Sequence, residues 1–95
     1  MHTERVGIEF DPDKAVANLR KHGVSFADAE LALLDPHAAT LEDPEAEGEL
    51  RFITLGVGAA GRVLVVVWAP RNRRARLISA RKASSGEREF YAQGI

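Results

Sequence analysis

One strand, two helices, three or four antiparallel strands and a closing helix: the residue pattern predicts an α+β domain in that order. Three features carry the expectation. Two capped amphipathic segments occupy residues 11–34, the apolar stretch VLVVVWA runs from Val63 to Ala69, and turn-forming residues flank that stretch on both sides. Helical periodicity in the front half and strand-like runs in the back half favour helices packed on one side of a sheet. The 95 residues make a single domain, 1–95, with room for one core.

Val6 to Phe10 (VGIEF) alternates apolar with polar or small residues and reads as a short first strand. Asp11 can cap the free amides of a following helix, and Pro12 suits its first position. Ala15, Val16 and Leu19 fall on one stripe of that helix, which is expected to face the core and to stop at Gly23. Ser25 with Asp28 resembles a capping box, opening a second helix in which Phe26, Ala29 and Leu33 share a face. Asp35-Pro36 ends it. Residues 35–50 form an acidic connector around a short strand at Ala39 to Leu41. Arg51 to Val57 and Arg62 to Ala69 then make a hairpin through the turn GAAG. A second hairpin joins Arg62–Ala69 to Ala75–Arg81 through PRNRR. The middle strand is apolar on both faces, as a central strand covered on two sides must be. Ser84 with Glu87 is a further capping signal and starts a last helix through Tyr91.

Composition narrows the function. With no cysteine there are no disulfides, thiolate nucleophiles or zinc–thiolate sites, which fits a reducing cytoplasm. The longest apolar run falls far short of the roughly 20 residues of a membrane span, and the N-terminus does not read as a signal peptide. A soluble cytoplasmic protein without membrane contact is expected. The net charge of −1 hides a division. Residues 1–50 carry four basic side chains against twelve acidic ones, and residues 51–95 carry nine against two. Such asymmetry points to nucleic-acid contact, or to two halves that neutralise each other inside one fold.

The basic half is densest in RNRRARLISARKA (Arg71 to Ala83). Strict alternation along that strand puts Arg74, Arg76 and Lys82 on one face and Arg81 on the other with Leu77 and Ser79. An arginine ending an apolar strand must pair with a carboxylate, for which Glu47 and Glu49 are available, or bind an anion such as phosphate. On the first helix Lys14, Asn18 and Lys21 share a polar, solvated face, with His22 at its edge. His2, His22 and His37 show no metal-ligand spacing, and no phosphate-cradling glycine motif opens a helix, so neither a metal nor a cofactor is expected.

Three blocks combine into a resemblance. FDPDKAVANLRKHGVSFADA (Phe10 to Ala29), GELRFITLG (Gly48 to Gly56) and ISARKA (Ile78 to Ala83) resemble the BrnT family of type II toxins in order and spacing along nearly the whole chain. That resemblance implies a RelE-like fold and metal-independent cleavage of RNA. It also implies a ribbon-helix-helix antitoxin, BrnA-like, through which alone the pair would contact operator DNA. By motif position Lys21, Arg62, Arg81 and Lys82 become candidates for phosphate binding and charge stabilisation. Glu49 or His22 would be the base, and a lysine or Tyr91, the sole tyrosine, the acid. Arg51, Arg74 and Arg76 would add RNA contacts. The chain departs from many relatives at Leu50, where a second acidic residue is common, and at Ser85-Gly86, where a basic pair is common.

The rival expectation is a homologue without cleavage that persists as a co-repressor subunit binding nucleic acid or antitoxin. Only three short helices are available to cover a sheet whose middle strand is apolar on both faces. A second copy, in a homodimer, or an antitoxin segment would close what they leave open.

Overall fold

The computed structural model describes residues 7–94. Five strands form one mixed sheet in the order β1-β5-β4-β3-β2. They are β1 (Ile8–Glu9), β2 (Ala39–Glu42), β3 (Phe52–Val57), β4 (Val63–Arg71) and β5 (Arg74–Lys82). Three helices accompany them, α1 (Pro12–His22), α2 (Phe26–Leu33) and α3 (Ser85–Ala92). The expected antiparallel run is β2 to β5. The first strand adds a fifth member, parallel to β5, with Ile8 opposite Ala75 and Glu9 opposite Arg76. Val6, expected in that strand, lies outside the described residues.

The helix ends follow the local chemistry. Asp11 accepts a hydrogen bond from the Asp13 amide at 2.9 Å, Pro12 opens α1, and Gly23 closes it at φ 70°, donating to Leu19. Only glycine adopts that left-handed conformation without strain. Ser25 caps α2 through the Asp28 amide. Ser84 and Glu87 complete a reciprocal capping box on α3, so Gly86 in the first turn does not prevent that helix.

β4 is the central strand, and its alternation separates two cores. Leu64 and Val66 lie with Val24, Phe26, Ala29, Ala32, Leu77 and Ala80 beneath α1 and α2. Val65 points the other way, into a smaller cluster with Leu55 and Ala83 against which Tyr91 packs. The helices therefore occupy both faces rather than one. A capping signal locates a helix but carries no information about which face it covers.

The stripe expected to bury α1 also differs. Ala15 is half-buried, but Val16 and Leu19 are 56% and 52% exposed while Asn18 is only 7% exposed. The cause lies in the sheet. β1 pairs with β5 only as far as Arg76, which leaves the rest of that edge without a strand partner. Asn18 supplies one: its Oδ1 accepts from the Ala80 amide at 3.0 Å, and its Nδ2 donates to the Ala80 carbonyl at 2.8 Å and the Val24 carbonyl at 2.9 Å. The polar face of α1 turns inward because an unpaired sheet edge needs donors and acceptors, not methyl groups.

GVGAAG behaves as a hairpin connection. Two of its glycines also let α2 sit flush on the sheet: a Cβ on Gly56 would lie 2.2 Å from the Ala32 carbonyl oxygen, and one on Gly58 2.3 Å from Asp28 Oδ1. The other hairpin is tighter than PRNRR suggested. Arg71 pairs with Arg74, and Asn72 and Arg73 take φ of 51° and 65°, as a two-residue reversal requires.

Candidate functional site

Strict alternation fails once in β5, inside the strand that carries most of the candidate cations. Val67 pairs with Ser79 and Trp68 with Leu77, which leaves Ile78 as an extra, bulged residue. A bulge reverses the faces of everything beyond it. Arg81 is therefore level with Val65, and shares the α3 face of the sheet with Ser79, Arg76 and Arg74. Lys82 is level with Leu64 and points to the α1/α2 side. This corrects the grouping expected from the sequence, in which Arg81 stood apart from Arg74 and Arg76.

Arg81 finds a carboxylate, but not from the acidic connector. Its two terminal nitrogens donate to Glu87 of α3 at 2.9 and 2.8 Å. The Arg81 fork, more than any other influence, holds the Glu87 carboxyl down to about 2, and Glu87 in turn raises the Arg81 guanidinium. The pair is 45% and 31% exposed, open to competing anions. Arg76 donates to Glu9 at 3.1 Å, and Arg71 lies 3.7 Å from the same carboxylate. Arg51, one step before β3, stands 3.7 Å from Asp43. Arg74 is exposed at the β4–β5 hairpin, seven residues and roughly 20 Å of strand from Arg81.

A second group forms around the end of α1. Lys21 and His22 line a cleft of about 270 Å³ together with Lys14, Asn18, Ile78 and Ser79. Arg62 joins this end of the molecule because it donates to the carbonyl of Gly23, the residue after His22, at 3.0 Å. The same nitrogen meets Asp28, itself nearly buried, at 3.3 Å, and Arg62 Nε is buried without a partner among the described residues. Asp28 also accepts from the Ala60 amide. Arg62 thus ties the β3–β4 turn to α1 and α2. Arg81 and Lys82 are adjacent and oppositely directed at the end of β5.

Two candidates stand apart. Glu49 is exposed before β3, whose first residue Phe52 is level with Trp68, so it lies towards the opposite end of the sheet from Arg81. Tyr91 directs its hydroxyl at Asp35, which also accepts from the amides of Val57 and His37. Burial, the largest influence on Asp35, pushes its carboxyl up, but the bonds from Tyr91, Val57 and His37 together with the His37 charge hold it below its usual value. The Tyr91 phenol is raised, chiefly by its bond to Asp35. Sequence reasoning missed Glu87, Asp28 and Asp35 as partners, since each meets its cation or phenol only through the fold. The capping motif at Ser84 does mark Glu87 as ordered. Among the described residues no three His, Asp or Glu side chains gather in a metal-binding cluster.

Comparison with known proteins agrees with this architecture. Residues 10–87 match the family described as ribonuclease toxin, BrnT, of type II toxin–antitoxin system. The crystal structure of the Brucella abortus ribonuclease toxin BrnT superposes with a TM-score of 0.62 at 26% identity, covering 85% of this chain and all of that one. No functionally curated protein matches the chain. With a family match that runs from α1 through β5 and into the start of α3, the chain belongs to the BrnT family of type II ribonuclease toxins.

Proposed function

We propose that this chain is a metal-independent endoribonuclease with a RelE-like fold, acting in the cytoplasm and neutralised by a BrnA-like ribbon-helix-helix antitoxin. Operator DNA would be contacted only through that antitoxin. The supporting observation is the family match over residues 10–87, together with a cleft that Lys21 and His22 line beside Ser79 of β5, two residues before Arg81 in the same strand.

Metal-free RNA cleavage uses the 2′-hydroxyl to attack the adjacent phosphorus and expels the 5′-oxygen, leaving a cyclic phosphate. The phosphorane-like transition state carries extra negative charge, and stabilising it is usually the largest contribution to catalysis. Arg81 suits this role through a planar fork that can exchange Glu87 for phosphate oxygens. Lys82 adds a second cation. His22 takes the base role, because it lines the cleft with Lys21 whereas Glu49 is remote. Lys21 returns a proton to the leaving oxygen. Tyr91, whose proton points at Asp35, anchors α3 instead. Arg62 acts as a brace, and Arg51, Arg74 and Arg76 meet flanking nucleotides.

Purified chain incubated with RNA in excess EDTA should cleave it, and Lys21→Ala, His22→Ala and Arg81→Ala should each slow cleavage by at least about tenfold. Activity abolished by EDTA and restored by a metal would refute the mechanism. One observation favours a second reading. Arg62 and Arg81 are both engaged by carboxylates, as in a subunit that binds antitoxin or nucleic acid without cutting. Growth unaffected by expression of folded chain would select that reading. A homodimer closing the open part of the α3 face belongs to either one, and light scattering of the chain alone tests it.

A further inference from the structure

The inward turn of Asn18 leaves the apolar stripe of α1 on the outside. At about 100° per residue, Asp13, Val16, Ala17 and Arg20 fall within roughly 100° of arc on that helix. All four are exposed, Val16 to 56%. Leu19, 52% exposed, widens the strip on the flank away from Lys14 and Lys21, which line the small cleft. The helix cannot roll to bury these side chains without giving up the three hydrogen bonds of Asn18. Among the described residues neither the Asp13 carboxylate nor the Arg20 guanidinium has an ion-pair partner.

This strip is complementary to itself. A two-fold axis passing midway between Val16 and Ala17 sets the α1 helices of two copies antiparallel. Val16 of each copy then stands opposite Ala17 of the other, a branched side chain against a methyl group, and Asp13 stands opposite Arg20. A two-fold contact repeats every pairing, so its centre holds two valine–alanine contacts and each end an opposite-charge pair. The charges also fix the sense of the helices. A parallel pair would set Asp13 against Asp13 and Arg20 against Arg20, two repulsions in place of two attractions.

We propose that the outer face of α1 is a homodimer contact, in which two copies pack α1 against α1, antiparallel, around Val16 and Ala17, with Asp13 of each copy facing Arg20 of the other. This surface is distinct from the α3 face of the sheet, and the inference does not depend on the RNA chemistry. Ala17 borders the cleft of Lys21 and His22 as well as the contact, so the two clefts of the dimer adjoin its seam. One helix pair with its flanking leucines makes a small interface. Association is therefore expected at micromolar to submillimolar concentrations of chain.

Sedimentation velocity of the full chain over that range should show a monomer–dimer equilibrium. Val16→Asp should weaken it by at least about tenfold. Leu34→Asp, at a leucine outside α1 that is also 56% exposed, should leave it within about twofold. Asp13→Arg and Arg20→Glu each turn both end pairs into like charges and should each weaken self-association by about fivefold or more. An equimolar mixture of these two variants should regain the dimer of the parent, because opposite charges then face each other at both ends of the contact. Loss of helix stability in either variant could not produce that recovery. A chain that stays monomeric throughout overturns the proposal and leaves the strip to a different protein. So does a dimer indifferent to Val16→Asp, which would place self-association on another face, or a mixture no more associated than its two components.

Discussion

The guanidinium of Arg81 and the carboxylate of Glu87 meet fork to fork, through two parallel hydrogen bonds of 2.9 and 2.8 Å. On the proposed reading Glu87 holds the place of an RNA phosphate, and it simultaneously caps α3 by accepting from the Ser84 amide at 2.7 Å. Glu87→Gln should therefore raise RNA affinity by about two- to fivefold, the range held back by an exposed ion pair worth up to about 1 kcal/mol. Fluorescence anisotropy with a short labelled RNA checks this, with Arg81→Ala expected to lower affinity in the same assay. The pH sign is definite. Glu87 is depressed from its usual 4.5 to about 2, so its contribution is complete above 4.5 and is lost as pH falls through 2. The Arg81–Glu87 contact should thus be invariant between pH 5 and 8.

Asn18 makes three hydrogen bonds from a buried position, two of them to the free edge of β5. Asn18→Ala leaves an amide and two carbonyls without partners. The expected loss is about 2–4 kcal/mol in urea unfolding. Asn18→Asp should be no better, because a carboxylate keeps the acceptor but replaces the donor facing two carbonyls.

Asn18 and Arg81 also show where sequence stopped informing the fold. Helix caps and the two hairpin connections were legible because each is a local matter of backbone donors, proline and glycine, whereas the parallel pairing of β1 with β5 joins distant residues and was not. Nor was the inward face of α1. Its amphipathic stripe names Val16 and Leu19, and only the incomplete pairing of β1 with β5 explains why Asn18 is turned in instead. The face of Arg81 depends likewise on a bulge at Ile78 that no glycine or proline announces. Candidate cations could be named from the motif blocks, whereas their carboxylate partners, Glu9, Asp28 and Glu87, come from three separate elements.

Gly56 sits where α2 crosses β3. An added Cβ would fall 2.2 Å from the Ala32 carbonyl oxygen and 3.0 Å from its carbon, both backbone atoms that cannot rotate away. Gly56→Ala should push α2 off the sheet and cost about 2–3 kcal/mol, in the range of overpacked cores. Thermal unfolding measures it. The neighbouring Ala59, exposed in the turn, serves as a control position expected to change stability by less than about 0.5 kcal/mol.

Tyr91 anchors α3, a helix with no fully buried residue, to Asp35. Tyr91→Phe should destabilise the fold by about 1–2 kcal/mol while leaving RNA cleavage within about tenfold of the parent. A loss of a hundredfold or more, with α3 still ordered, would return the acid role to this phenol. Both partners set pH limits. Asp35 is lowered, so its contribution holds above 3.8 and fades as pH falls below that value. Tyr91 is raised above 10, so its contribution holds below 10 and is lost as pH climbs through the raised value.

Arg62 decides between brace and phosphate ligand, and a double-mutant cycle with Asp28 separates them. If Arg62 is a brace, Arg62→Ala leaves the nearly buried Asp28 carboxylate unpaired and removes the donor to Gly23. Breaking one side of such a pair costs about 3–5 kcal/mol when burial is deep, and Arg62 is itself about one-third exposed, so about 2–3 kcal/mol is expected here. Asp28→Asn in the same chain should recover part of that loss, because a neutral amide no longer demands a cation. Cleavage by the doubly substituted protein should then follow its folded fraction. A pair that regains stability but not activity would instead make Arg62 a group that touches the scissile phosphate, with Asp28 serving to hold its fork in place.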